Sequence, residues 1–270
     1  MCTVADHPHP ILTNAPLQTV VCELRFPAPF LVTEDLRAIR SALKDYPLSD
    51  TQQGIGIELN PESGVRQQPM IQRHLFSTLD ESHQVSIGPG SLALEARSGY
   101  EGFKRFLERW LQIVGVVQSA IELTIQTRLG LRYVNQLLVE DASAGLAALS
   151  NRVNAALLSP FGSDGFPYHV TTSFEEMRLR DESLNGTLRH GLQLAAPVQA
   201  PGAPPTEGSV TRGFYALDID FYDDQRKTFA IDDQKEQLKA FNHSIWNIFR
   251  WAVTDEEYAR MEPRERDETS

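Results

Sequence analysis

The 270-residue sequence predicts an α+β fold made of two halves with the same order of elements. Three observations support this: strand patterns occur in groups joined by turn residues, each group precedes a long amphipathic helix, and the order strand, short helix, three strands, long helix occurs twice. We divide the chain into a first half over residues 1–118, a second half over residues 119–262 and a disordered tail over residues 263–270. Because one strand group with one helix buries a single sheet face, we expect the halves to form one mostly antiparallel sheet backed by the long helices.

The first half begins with a strand over residues 17–26, which ends at Pro27 because proline lacks the N–H that a β-ladder needs. The segment Gly88-Pro89-Gly90 predicts a hairpin turn, since proline and glycine suit the central positions of tight turns. The other predicted elements of this half are a short helix over residues 33–46, a loop with a weak strand at 56–59, strands at 70–79, 84–87 and 91–96, and an amphipathic helix over 100–117.

The second half repeats this order, starting with a long strand over residues 121–139. Asn185-Gly186 predicts a hairpin turn, because both residues tolerate a positive φ. Residues 195–212 are rich in proline and predict an exposed connection at one end of the sheet. The other predicted elements are a short helix over 144–158, strands at 169–180, 187–194 and 213–222, and an amphipathic helix over 232–251.

Composition narrows the classes of function. The formal net charge of −11, from 36 acidic and 25 basic side chains, disfavours binding to nucleic acids and to anionic lipid surfaces. No apolar run approaches the roughly 18 residues that a membrane-spanning helix needs, and the first residues do not resemble a signal peptide, so we expect a cytoplasmic protein. Of the two cysteines, Cys22 lies in a strand pattern and is expected to be a small core residue rather than part of a disulfide framework.

Three short motifs resemble those of a known family. They are Asn14-Ala15-Pro16-Leu17, the strand Glu23-Leu24-Arg25-Phe26, and the strand Gly130-Leu131-Arg132-Tyr133-Val134-Asn135. Together they resemble a sporadically distributed family of uncharacterised bacterial proteins. The resemblance implies a small cytoplasmic protein of scattered occurrence, as in mobile gene cassettes or defence loci, without an assigned activity. The order of elements is also similar to the saddle-shaped halves of TATA-binding proteins and to helix-grip folds, an analogy that concerns shape alone.

The candidate binding residues come from the repeated Leu-Arg-aromatic segment. Arg25 and Arg132 occupy equivalent strand positions and could bind an anion or a carboxylate of a partner. The alternative, which we favour, is that each arginine pairs with a neighbouring carboxylate, such as Glu23, in a structural ladder. Tyr133 and Asn135 share a strand parity that Arg132 does not, so they are expected to face the other way, with Tyr133 as a core ring.

The sequence lacks the residue spacings that usually indicate catalysis. The histidines show no metal-binding spacing, and neither a nucleophile elbow nor a phosphate-binding loop occurs, so we predict no catalytic residue, metal ligand or cofactor. Asp218 and Asp220 could place two carboxylates on one face of a strand, where a divalent cation could bind. A solvated sheet face explains these aspartates better.

Three functions are ranked on these grounds. The leading hypothesis is a non-catalytic binding or accessory protein that engages a protein partner from its own operon through the open sheet face or the proline-rich connection. The alternative is a small-molecule or nucleotide sensor with a pocket between sheet and helices, in which Arg25 or Arg132 contacts the anion. The third is a metal-dependent, nuclease-like enzyme that uses Asp218 and Asp220. The sequence is also compatible with a homodimer.

Overall fold

The protein has the α+β fold that the sequence predicts, in a computed structural model that describes residues 9–27, 33–54, 57–60, 64–67, 71–140, 145–158, 170, 172–180, 184–194 and 212–264. The strands are β1 (Ile11–Leu12), β2 (Leu17–Arg25), β3 (Leu48–Gly54), β4 (Ile57–Asn60), β5 (Gly64–Gln67), β6 (Ile71–Ser77), β7 (His83–Gly88), β8 (Ser91–Ala96), β9 (Ile125–Gln126), β10 (Arg128–Val139), β11 (Glu175–Arg180), β12 (Asn185–Leu194), β13 (Gly213–Asp223), β14 (Lys227–Thr228) and β15 (Pro263–Arg264). The helices are α1 (Thr33–Ala42), α2 (Phe103–Ile121), α3 (Ile231–Ala252) and α4 (Asp255–Arg260).

Nine of the strands form one sheet in the order β11-β12-β13-β10-β2-β8-β7-β6-β3. The pairs β11–β12, β2–β8, β7–β8, β6–β7 and β3–β6 are antiparallel, which confirms the mostly antiparallel sheet. Short two-stranded ladders join β1 to β15, β9 to β14 and β4 to β5. The chain also contains the long helices α2 and α3, close to where the amphipathic patterns predict them.

The chain divides into two compact units that interleave along the sequence. The first unit consists of Met1–Gln18, Arg132–Phe221 and Asn242–Ser270, and the second consists of Thr19–Leu131 and Tyr222–Phe241. The limits of these units fall within β2, β10, β13 and α3. The duplication of residues 1–118 in residues 119–262 stays a prediction.

In the first unit, the strands bury one face and expose much of the other. Asn135, Leu137 and Val139 of β10 are buried, whereas Arg132 and Leu138, which have the opposite parity, are exposed. The buried face packs with other apolar side chains of the unit, namely Leu188, Leu192, Tyr215, Leu217, Ile219, Ile245 and Phe249. We call the opposite side the open face, on which Asp218 and Thr187 are themselves buried: Arg132, Val134, Gln136 and Leu138 of β10, Asp218 and Asp220 of β13, Thr187 and Arg189 of β12, and Glu176, Arg178 and Arg180 of β11.

The second unit has its own apolar core, which includes the predicted core cysteine. Cys22 is fully buried in β2, and burial raises the pKa of its thiol well above the usual value. Trp110 of α2 is also fully buried and donates its indole N–H to Gln234. The Gly88-Pro89-Gly90 turn is confirmed, because Gly88 pairs with Ser91 and Gly90 has a φ of 71°.

Two predicted elements of the second half are wrong in detail. The expected helix over residues 144–158 is replaced by 3₁₀ turns at Gly145–Leu149 and Ala155–Leu157, since Val153 between them forms a β-bridge with Val253. Asn185 and Gly186 are not the hairpin turn: Asn185 pairs with Arg180 inside the β11–β12 ladder. Gly186 instead packs against Phe221, whose ring would lie 3.0 Å from an added Cβ.

The sequence also missed elements, and some predictions fall outside the described residues. Strand β3 was not predicted because its polar segment Ser49-Asp50-Thr51-Gln52-Gln53 carries no strand signal of its own, yet it pairs along its whole length with β6. Helix α4 was likewise missed.

Residues 195–211 of the proline-rich connection and residues 265–270 of the tail lie outside the described residues. None of the helices in the described part combines the length and apolar composition needed to cross a bilayer.

Candidate functional site

The first unit holds a bidentate ion pair on its open face. Arg132 of β10 donates from Nε to Asp218 Oδ1 and from Nη2 to Asp218 Oδ2 of β13, both at 2.7 Å. The Asp218 side chain is 10% exposed and that of Arg132 is 46% exposed. A planar guanidinium matches a carboxylate in this geometry, so the pair fixes the orientation of Arg132 while leaving much of its side chain accessible.

Arg189 of β12 extends this pair into a ladder across the strands. Its Nη1 lies 3.5 Å from Asp218 Oδ2, and its Nε donates to Glu176 Oε2 of β11 at 2.8 Å. Glu176 also lies 3.6 Å from Nε of Arg178, whose side chain is 84% exposed. We call Arg132, Asp218, Arg189, Glu176 and Arg178 the arginine ladder.

Hydrogen bonds within the ladder favour the charged forms of two of its members. The hydrogen bond with Asp218 raises the pKa of Arg132, and the hydrogen bond with Arg189 lowers the pKa of Glu176. With Arg180 and Asp220, which share its face, the ladder presents four guanidiniums and three carboxylates. This small excess of positive charge contrasts with the net charge of −11 of the whole chain.

Both central arginines keep donors that the ladder does not use. Among the described residues, Nη1 of Arg132 and Nη2 of Arg189 make no hydrogen bond, since the bonds of these arginines run from Nε and the other Nη nitrogen. A guanidinium carries five N–H donors in a rigid plane. The open face therefore offers fixed and partly exposed donors to a further acceptor.

Tyr133 and Asn135 lie apart from the ladder, on the packed side of β10. The Tyr133 hydroxyl donates to Asn242 Oδ1 of α3 at 2.8 Å, and Asn135 Nδ2 donates to the Leu217 carbonyl oxygen at 3.3 Å. Asn135 is buried. The structure thus gives these two candidates contacts within the first unit and does not bring them together with Arg132.

Arg25 and Glu23 belong to the second unit and contact each other. Arg25 Nε donates to Glu23 Oε2 at 3.0 Å along a single strand, with the Arg25 side chain 56% exposed. Glu23 Oε2 also lies 3.5 Å from Nε of Arg128, whose guanidinium stacks on the Tyr222 ring at 4.0 Å. Both Arg25 and Arg132 therefore pair with nearby carboxylates.

The geometry gives little support to a metal site at Asp218 and Asp220. Both carboxylate oxygens of Asp218 accept hydrogen bonds from Arg132. Within the ranges that the structure describes, no group of three or more His, Cys, Asp or Glu side chains could hold a metal ion. A cation at Asp218 would have to displace the guanidinium that already neutralises it.

Two histidines are buried in polar contacts. His190 of the first unit lies with Nδ1 at 2.7 Å from the Tyr215 hydroxyl, and its Nε2 is 3.9 Å from Glu175 Oε2. Burial lowers the pKa of His190 more than Glu175 raises it. In the second unit, His83 contacts Ser82 Oγ through Nδ1 at 2.9 Å, and its pKa is lowered chiefly by burial. Both imidazoles are therefore expected to be neutral at pH 7.

Sequence reasoning missed that Asp218 is the partner of Arg132, and that Arg189 and Glu176 extend this pair. The alternation in the strands that carry them indicates which side chains share a face, but it does not give the register between strands. No protein-family model and no curated protein matches the sequence.

Proposed function

We propose that this chain is a non-catalytic binding or accessory protein, and that a partner protein docks on the open face of the first unit. The observation that carries the proposal is the arginine ladder, in which the buried carboxylate of Asp218 holds Arg132 and Arg189 in fixed positions with donors to spare. Arginine is enriched at protein interfaces because its planar fork can bind several acceptors with little further loss of side-chain entropy.

Apolar side chains on the same strand support docking of a protein. Val134 and Leu138 follow Arg132 on the open face of β10, with the polar Gln136 between them, and β10 is the fourth strand of nine and therefore not an edge. Leu138 is 57% exposed. An exposed leucine on the same strand as the anchored cations adds an apolar contact to their directional hydrogen bonds, and arginine is enriched at the centre of interfaces.

The proposal also includes the finer predictions from the sequence. These are two duplicated halves with a shape like that of TATA-binding proteins or helix-grip folds, a cytoplasmic location, and a partner encoded in the same operon, as in a mobile or defence gene cassette. They are supported by the repeated order of elements and by the motif resemblance.

The sensor alternative receives less support. A groove of about 470 Å³ lies in the second unit between α1 and α2, and it is lined by small and polar residues, namely Ala38, Ala42, Gln112, Gly115, Val116, Ser119 and Ala120. Neither Arg25 nor Arg132 lines this groove. The anion contact that the sensor hypothesis requires is thus missing from it.

Site-specific photo-crosslinking tests the proposed function. A benzophenone amino acid is placed at Leu138 on the open face, and the matched control carries it at Trp251, an exposed aromatic residue of α3 in the same unit. In cells that express the full chain, we expect an adduct with one other protein from position 138 and none from position 251. Absence of an adduct at position 138, or the same adducts from both positions, would contradict the proposal.

A further inference from the structure

We infer that Arg132 and Arg189 form a carboxylate-binding site that receives an aspartate or glutamate side chain of the partner. This inference rests on the proposed function, since it names the chemistry of the protein that docks on the open face. Its basis is that both guanidiniums reach the same oxygen, Asp218 Oδ2, through Arg132 Nη2 at 2.7 Å and Arg189 Nη1 at 3.5 Å. The two cations therefore lie next to each other.

Asp218 and Glu176 already balance the charge of the two arginines and Asp220 lies near Arg132, so a ligand gains from the unused donors and not from an unmet charge. Arg132 donates hydrogen bonds to both carboxylate oxygens of Asp218. Arg189 makes a long contact to one of these oxygens and donates a short hydrogen bond to Glu176. Nη1 of Arg132 and Nη2 of Arg189 are the donors left to a bound carboxylate, and hydrogen bonds from either would be charge-assisted.

The site is held in place before a ligand arrives. Asp218 is buried, so its carboxylate is a fixed anchor, and Glu176 holds Arg189 from the other side. Long, flexible side chains usually lose conformational entropy when they bind. Here the ladder has already restricted both arginines, so a ligand orders fewer groups on binding.

The surroundings favour a carboxylate over a phosphate. Asp220 and Glu176 flank the arginines on the open face, and the chain carries a net charge of −11. These negative charges repel a phosphate dianion or a nucleic-acid backbone more strongly than a single carboxylate. Val134, two residues after Arg132, lies about 7 Å further along the strand, within reach of an apolar residue next to the acidic one.

The direct test is an NMR titration of the full chain with short blocked peptides. The first peptide contains one glutamate beside one leucine, the second has glutamine in place of glutamate, and the third has phosphoserine in that position. We expect the glutamate peptide to shift the Nε–H resonances of Arg132 and Arg189 and to leave that of Arg25, an exposed arginine of the second unit, unchanged. The glutamine peptide should bind at least tenfold more weakly.

Variants separate a binding role from a structural one. Arg189→Gln should weaken binding of the glutamate peptide at least fivefold, and Arg132→Lys should do so while keeping the charge, because lysine lacks the planar fork. Arg25→Gln is the matched control and should bind like the parent protein. Thermal unfolding of each variant checks that the chain is folded.

Several outcomes would overturn the inference. They are unchanged resonances of both arginines, tighter binding of the phosphoserine peptide, or equal loss of binding in Arg25→Gln. The crosslinking experiment distinguishes this failure from failure of the proposed function. An adduct from position 138 that persists in Arg132→Lys and Arg189→Gln leaves the proposed function standing and removes the carboxylate site.

Discussion

Arg132 in the first unit and Arg25 in the second occupy the same local sequence and have different environments. Leu131-Arg132-Tyr133 and Leu24-Arg25-Phe26 each place the arginine between an apolar residue and an aromatic one. Arg132 binds a buried carboxylate on a neighbouring strand through two bonds, whereas Arg25 binds a partly exposed carboxylate two residues away on its own strand.

This difference shows that a short strand motif does not determine which carboxylate its arginine binds or how much that bond stabilises the fold. A salt bridge between exposed side chains contributes little, because water and salt screen it and both side chains lose freedom. A bidentate bond to a buried carboxylate is stronger, and its loss leaves that buried carboxylate with fewer hydrogen-bond donors. The neighbouring strand, and not the motif, therefore decides what each arginine contributes.

The largest expected difference is in stability. Arg132→Ala should lower the free energy of unfolding by about 2 kcal/mol, because Asp218 loses its two short bonds and, among the described residues, keeps the long contact from Arg189 alone. Arg25→Ala should lower it by less than about 0.5 kcal/mol. Urea unfolding followed by circular dichroism measures both values. Equal losses would remove the distinction between the two arginines.

Double-mutant cycles should isolate the two pairs. We expect a coupling energy of about 1–2 kcal/mol between Arg132 and Asp218, and about 0.2–0.5 kcal/mol between Arg25 and Glu23. Raising the salt concentration should weaken the second coupling more, since its groups are more exposed. A larger coupling for Arg25 and Glu23 would contradict this order.

A third substitution converts the motif of the first unit towards that of the second. Tyr133→Phe places a phenylalanine where the second unit has Phe26 and removes the hydrogen bond to Asn242. We expect a loss of about 1 kcal/mol, typical of one hydrogen bond. Thermal unfolding measures it, with Phe26→Leu as the matched control for ring packing. No change in Tyr133→Phe would show that its hydroxyl does not stabilise the contact with α3.

The smallest expected effect concerns pH. The folded-state pKa of His190 lies below its ordinary value of 6.5, so the unfolded chain binds the proton more readily. The stability contributed by the neutral imidazole is therefore fully present above pH 6.5 and is lost as the pH falls below it. The pKa of His83 in the second unit is also lowered, so its neutral imidazole contributes stability that is lost over the same fall in pH.

Unfolding free energies measured from pH 7 to pH 5 test this effect. His190→Gln should reduce the slope of unfolding free energy against pH, because glutamine does not titrate. His83→Gln provides the same measurement for the second unit. If the slope is unchanged in both variants, neither imidazole is the group that takes up the proton.

The sequence by itself determined the α+β class, the two long helices, the Gly88-Pro89-Gly90 hairpin and the burial of Cys22. These features follow from periodicity and turn chemistry over a few residues, which a single segment encodes. Only the tertiary structure decided that Arg132 binds Asp218, that Arg189 joins them, and that β3 completes the sheet despite its polar sequence. The order and register of strands are set by contacts between distant segments, so the same three-residue motif gives a bidentate bond to a buried carboxylate in one unit and a more exposed pair in the other.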